Sequence, residues 1–153
     1  MTTFLVGLDD STESIGALET AARLGTPIDA ELALVFVRHT PATVAGSPQA
    51  LSVHELALDA IANEIQSQAT ATLEDYRGAW KLEQVSGDPT AGLIDAARGH
   101  DADLIVVGHR GHSELIDLMV GSVASRLVHH SPVSVLVAKN ERAEAARPGA
   151  HPL

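Results

Sequence analysis

The chain has 153 residues, 45% of them hydrophobic, no cysteine and a formal net charge of −10. This length and composition fit one globular domain with its own core, and exclude a disordered chain, disulfides and thiolate chemistry. The ten Lys and Arg residues are scattered, which argues against nucleic acid or an anionic membrane as partner, because both demand clustered cations.

In chain order, Phe4-Leu5-Val6-Gly7-Leu8 reads as a short buried strand that Asp9-Asp10-Ser11 ends. Asp10 and Glu13 have capping-box spacing before a helix with Ile15, Leu18 and Ala22 on its apolar stripe and Gly25 as its stop. Residues 32–37, LALVFV, form the second strand, and residues 39–50, with two prolines and a glycine, read as a loop. Ser52 and Glu55 suggest another capping box ahead of the longest helical pattern, which Leu58, Ile61, Ile65 and Tyr76 mark and Gly78 closes. Residues 80–86 alternate apolar and polar, as an edge strand would; Asp88-Pro89 then supplies an N-cap and first helical residue, with Gly99 as the stop. Residues 104–107 form a fourth buried strand, Gly121-Ser122 opens a helix that Pro132 breaks, and Val133 to Ala138 is the fifth strand. Residues 1–140 are therefore read as the domain and 141–153 as a mobile tail. The first residues lack the basic and long apolar regions of a signal peptide, and no apolar run approaches membrane-spanning length. A soluble cytoplasmic protein is the expectation.

Strands alternating with helices imply an α/β fold, a single doubly wound five-stranded parallel sheet with right-handed crossovers. Ligands in such sheets bind beyond the carboxyl ends of the strands, where the winding reverses. Two strand-end loops carry unusual residues: Asp9-Asp10-Ser11 and Gly108-His109-Arg110-Gly111. A strand order of 3-2-1-4-5 would bring both loops to one crevice. Glycine after a buried strand admits close backbone approach, and the helix that begins at Gly121-Ser122 offers unpaired N–H groups and a positive dipole end, so residues 106–122 read as a phosphate cradle.

The spacing Gly108-x2-Gly111-x9-Gly121-Ser122 resembles the nucleotide-binding motif of the universal stress protein family, in its ATP-binding branch. The first strand ending in Asp9-Asp10-Ser11, the Gly87-Asp88-Pro89 turn, residues 102–108 and residues 132–137 match in the same order, so the likeness spans roughly residues 2–139. The resemblance implies an adenine nucleotide alpha-hydrolase-like fold with ATP or ADP between strands one and four. It implies that Asp9, flanked by Gly7 and Leu8, contacts the adenosine portion, that Val37 meets adenine through its backbone and that Val107 lines the base or ribose pocket. Gly108, His109, Arg110, Gly111 and His112 would wrap ribose and phosphates. Gly121, Ser122 and Val123 would hold phosphate through backbone N–H groups and the Ser122 hydroxyl. The implied ion is Mg2+ or Mn2+, held through nucleotide phosphates. Ala124 departs from the Ser or Thr that family members often carry, removing one hydroxyl.

The residues themselves temper each role. Asp10 is explained by capping, Ser122 can be an N-cap as well as a phosphate contact, and Arg110 either reaches phosphate or is solvated. His109 and His112 have no third ligand beside them, so no metal site of side chains is expected; His129 and His130 near a helix C-terminus read as structural. There is no G-x-x-x-x-G-K-[ST] loop, no lysine near the cradle and no ordered nucleophile, base and acid. The expectation is a nucleotide-dependent regulatory protein and not an enzyme, with at most slow incidental ATP hydrolysis. Its final strand, with Val133, Val135 and Val137 alternating, would lie at a sheet edge and pair with a second copy as a homodimer; no other protein partner is named by the sequence. Two rival readings are a receiver-like signalling domain, which needs Asp88 as phospho-acceptor, and a nucleotide-free dimerisation module.

Overall fold

The structure, a computed structural model, describes residues 1–109 and 121–139. Its elements are β1 (Thr3–Leu8), α1 (Thr12–Gly25), a short 3-10 turn (Thr26–Ile28), β2 (Glu31–Arg38), α2 (Ala42–Ala45), α3 (Pro48–Thr72), β3 (Trp80–Ser86), α4 (Pro89–Gly99), β4 (Leu104–Gly108), α5 (Ser122–His130) and β5 (Ser134–Ala138). The five strands form one sheet in the order β3-β2-β1-β4-β5. Every pairing is parallel, with Phe4 facing Leu32 on one side and Leu104 on the other. The expected strand order and fold class are those found.

Alternation along the strands divides the core between two faces. Phe4, Val6 and Leu8 of β1 join Leu34 and Phe36 of β2 against Leu18 of α1 and Ile65 of α3. Leu5, Val35, Ile105 and Val107 face the other way, against Leu93 of α4 and Leu127 of α5. Leu5, Val6, Leu34, Ile105 and Val106 are fully enclosed; side chains of this kind each contribute roughly 1.5–3 kcal/mol on burial. Because α1 and α3 cover one face and α4 and α5 the other, the winding reverses between β1 and β4. Among the described residues no helix is long and apolar enough to cross a membrane.

Local capping differs from the sequence reading at two helices. The N-cap of α1 is Ser11, whose hydroxyl accepts the Ser14 N–H, and not Asp10. Helix α3 starts at Pro48 with Ser47 as N-cap, inside the stretch read as a loop, which also holds the four-residue α2. Ser47 is extended and Pro48 is preorganised for the first helical position, so this start prevails over the Ser52 pair. Ser52 lies within the helix and donates to the Pro48 carbonyl at 3.0 Å. Glu55, the other half of that pair, binds Arg38 at 2.9 Å, and Asp59 binds it at 2.8 Å. These carboxylates, the Glu55 hydrogen bond foremost, hold the Arg38 guanidinium above its usual range. At the other end α3 stops at Thr72, before Gly78. Gly78 serves close approach instead: a Cβ there would stand 2.6 Å from the Tyr76 ring and 2.7 Å from the Ala30 carbonyl oxygen. The expected tail, residues 141–153, lies outside the described residues.

Candidate functional site

The carboxyl ends of β1, β2 and β4 surround a cavity of about 300 Å3. Strand β1 contributes Gly7 and Leu8 with Asp9 after it, β2 contributes Val35 and Val37, and β4 contributes Val107 and Gly108. The remaining wall comes from helix starts: Ser11 and Ser14 at α1, Pro89 and Leu93 at α4, and Gly121, Ser122, Val123 and Ala124 at α5. The cavity thus sits at the winding reversal, where open α/β sheets take their ligands. Parallel strands connected by helices send every helix N-terminus to this end of the sheet. Three of them border one hollow, and their dipoles favour negative charge there although the chain carries −10 overall.

Nine of the residues singled out from sequence line this cavity: Gly7, Leu8, Asp9, Val37, Val107, Gly108, Gly121, Ser122 and Val123. His109 does not line it. Its N–H donates to the Ala138 carbonyl and its own carbonyl accepts the Gly121 N–H, each at 2.8 Å, so its main chain ties β4 to β5 and to the start of α5. Arg110, Gly111 and His112 lie outside the described residues.

The His109 bond also changes the part played by Gly121. Gly121 is the N-cap of α5 and its N–H is already engaged. The first intrahelical donor is Ser125, which bonds Gly121 O at 2.9 Å. The N–H groups of Ser122, Val123 and Ala124 are those left without an intrahelical acceptor. Ser122 is the first helical residue and not the cap, which leaves its exposed hydroxyl for other partners.

Gly108 has a second duty. A Cβ at Gly108 would stand 2.7 Å from the carbonyl carbon and oxygen of Glu13, so the glycine lets the first turn of α1 lie against the end of β4. The two loops that form opposite walls are packed together at this point.

Asp9 is held by a compact turn. Its Oδ1 accepts the Ser11 N–H at 2.8 Å and the Ser11 hydroxyl. Its main-chain N–H donates to Ser14 Oγ at 3.2 Å, and its carbonyl accepts from that hydroxyl at 2.9 Å. Asp9 Oδ2 accepts from none of the described residues. Asp9, whose Oδ2 has no donor among the described residues, therefore lines a mostly apolar wall.

Sequence reasoning did not assign Ser14, Val35, Pro89 or Leu93 to the site, and it named Ser11 only within the first strand-end loop and Ala124 only as a missing hydroxyl. Signals for some existed: Val35 shares a strand face with Val37, and Pro89 opens a helix directly after a strand. Placing them needed the knowledge that α4 packs on the sheet face that carries Val35 and Val107. Beside Pro89, Asp88 caps α4 by accepting the Ala91 N–H at 2.9 Å, and Arg126 of α5 approaches it at 3.4 Å. The Ala91 hydrogen bond is the main reason the Asp88 carboxyl titrates below its usual range, with Arg126 and His39 adding to it. The strand order overturns the receiver reading. Receiver domains are wound 2-1-3-4-5, whereas here β3 is an edge strand with β2 between it and β1, so Asp88 does not follow a strand adjacent to Asp9.

Comparison with known proteins agrees with this architecture. The model of the universal stress protein family matches residues 1–139. The universal stress protein YxiE of Bacillus subtilis (strain 168) is 32% identical over 143 residues, covering 88% of this chain and 97% of that protein. Among solved structures, the universal stress protein UspA from Lactobacillus plantarum superimposes with a TM-score of 0.78 at 28% identity, covering 90% of this chain and 97% of its own. A universal stress protein solved in complex with cAMP gives a TM-score of 0.63 at 25% identity, covering 90% of this chain and 96% of its own. The five-stranded parallel sheet is of the adenine nucleotide alpha-hydrolase-like type these structures share. With the sheet order, the cavity and the match over residues 1–139 in agreement, the chain belongs to the universal stress protein family.

Proposed function

We propose that the cavity binds an adenine nucleotide, ATP or ADP, and that occupancy biases the protein's conformation or choice of partner as a regulatory device in the cytoplasm. The observation that carries this reading is the convergence of three helix N-termini on a cavity that Asp9 also lines. Its volume, about 300 Å3, lies at the lower end of the roughly 300–1,000 Å3 typical of small-molecule pockets. The valine and leucine wall suits the faces of a purine, and Asp9 suits a hydroxyl or amine donor. The N–H groups of Ser122, Val123 and Ala124, with the Ser122 hydroxyl, suit phosphate. The relative solved with cAMP supports an adenine ligand for this fold.

Among the described residues no group of three or more His, Cys, Asp or Glu is arranged to hold a metal ion. An accompanying Mg2+ or Mn2+ is therefore read as bound through the phosphates, whose charge it neutralises. The residues on the cavity wall suit binding more than turnover, so hydrolysis, where it occurs, is read as slow and incidental. The outer edge of β5, the last strand of the sheet among the described residues, is proposed as the contact of a symmetric homodimer.

The direct test is to denature the purified protein and identify released nucleotide by mass spectrometry, alongside calorimetric titration of the emptied protein with Mg-ATP. ATP or ADP in the supernatant, or binding on titration, is expected. A protein that carries none and binds none refutes the proposal and favours the dimerisation-module reading.

A further inference from the structure

We propose that Ser14 is the positioning residue of the site, acting through Asp9. The inference rests on the nucleotide reading above and names the residue that fixes the geometry of its acceptor.

Ser14 is 4% exposed, yet it lines the cavity. Its Oγ lies 3.2 Å from the Asp9 N–H, 2.9 Å from the Asp9 carbonyl oxygen and 3.0 Å from the Ser11 carbonyl oxygen. One hydroxyl has a single proton, so it accepts from Asp9 and shares that proton between the two carbonyls. The Ser14 N–H donates in turn to Ser11 Oγ at 3.2 Å. The Ser11 hydroxyl then donates to Asp9 Oδ1. The result is a closed circuit: Ser14 holds the Asp9 main chain directly and the Asp9 side chain through Ser11.

The circuit has a directional consequence. Both donors from Ser11 fall on Oδ1, which fixes the rotation of the Asp9 carboxylate and leaves Oδ2 as the oxygen with open capacity. Capping α1 needs only the Ser11 hydroxyl and the Ser14 N–H. The Ser14 hydroxyl is not part of the cap, and its partners are the carbonyls and the N–H that set the path of residues 9–11. A purely structural serine would stabilise this turn without altering which ligand atoms Asp9 reads. A positioning serine couples to Asp9 in binding.

The experiment is a double-mutant cycle on Mg-ATP binding, measured by calorimetry on the wild type, Ser14→Ala, Asp9→Asn and the double variant, with circular dichroism to establish that each is folded. Ser14→Ala is expected to weaken binding about tenfold in the wild-type background, the scale of one or two neutral hydrogen bonds. In the Asp9→Asn background it is expected to change binding less than about twofold, because contacting sites are non-additive. Equal losses in both backgrounds overturn the assignment. If Asp9→Asn abolishes binding outright, the hydroxyl-keeping variant Ser14→Thr decides: affinity within about twofold of wild type supports the assignment, and a loss equal to that of Ser14→Ala overturns it. The same Ser14→Thr variant decides if Ser14→Ala alters the melting temperature. A wild type that binds no nucleotide overturns the nucleotide reading itself, and this inference with it.

Discussion

Gly108 and Glu13, far apart in sequence, touch through their main chains: any Cβ on Gly108 would stand 2.7 Å from the Glu13 carbonyl. The contact joins the end of β4 to the first turn of α1, and hence one wall of the cavity to the other. Backbone cannot yield as a flexible side chain can. Gly108→Ala is therefore expected to destabilise the protein by about 1–3 kcal/mol, the usual cost of overpacking. It should also weaken nucleotide retention beyond what lost stability explains. Thermal melts with and without Mg-ATP check both; a variant that melts and binds as the wild type does contradicts the packing argument.

The hydroxyl of Ser122 is free of capping duty because Gly121 occupies the N-cap. Ser122→Ala should leave the melting temperature of the ligand-free protein within a degree or so, since exposed substitutions usually fall within about 0.5 kcal/mol. Binding of Mg-ATP should fall roughly three- to tenfold, the scale of one hydrogen bond. A fall in stability with unchanged affinity would reverse the roles assigned here.

Asp88 ties stability to acid. Its folded-state carboxyl titrates below the ordinary aspartate range, chiefly because it accepts the Ala91 N–H. A depressed folded value contributes stability that is present above the unfolded value, about 3.9, and is lost as pH falls through the lower folded one. Asp88→Ala should cost about 1 kcal/mol near neutrality, as for other N-cap losses. The gap to wild type should narrow as pH drops below the unfolded value. Denaturant titrations from pH 7 down to the acid limit measure it, and a gap that stays constant with pH rules out the linkage.

Tyr76 sets the alkaline limb. Its hydroxyl donates to the Ala30 carbonyl, and burial, with the Asp29 charge adding to it, raises its titration above the ordinary tyrosine value. Stability from a raised value is full below the unfolded value near 10 and disappears as pH rises through the folded one. Tyr76→Phe should lose about 1 kcal/mol at neutral pH from the missing hydrogen bond and show a flatter decline above pH ~10. A steeper decline in the variant would contradict the assigned direction.

The β5 edge leads to an expectation about assembly. Val133, Val135 and Val137 pack toward the α4 and α5 side of the sheet, so pairing across this edge would use main-chain groups more than those side chains. Light scattering at micromolar concentration should give twice the protomer mass, and an edge proline at Leu136 should reduce it to one. A monomeric wild type removes the dimer from the reading.

The sequence by itself determined the strands and the parallel sheet they imply, because buried strands announce themselves as short apolar runs and their punctuation is local; most of the cavity-wall residues came from the family resemblance of residues 2–139. Asp88-Pro89 likewise needed nothing beyond adjacent residues to cap α4. What only the tertiary structure decided were choices between local options. Ser11 instead of Asp10 caps α1, and Ser47 instead of Ser52 starts α3, while Glu55 is drawn away to Arg38, a residue of another element. Ser14, Pro89 and Leu93 entered the site for the same reason: the spacing of residues along a chain does not reveal which helix start faces which strand end. Gly108 is the clearest case. Its glycine was legible as a place of close approach, but the partner approached is the main chain of Glu13, a contact that exists only once α1 has packed across the sheet.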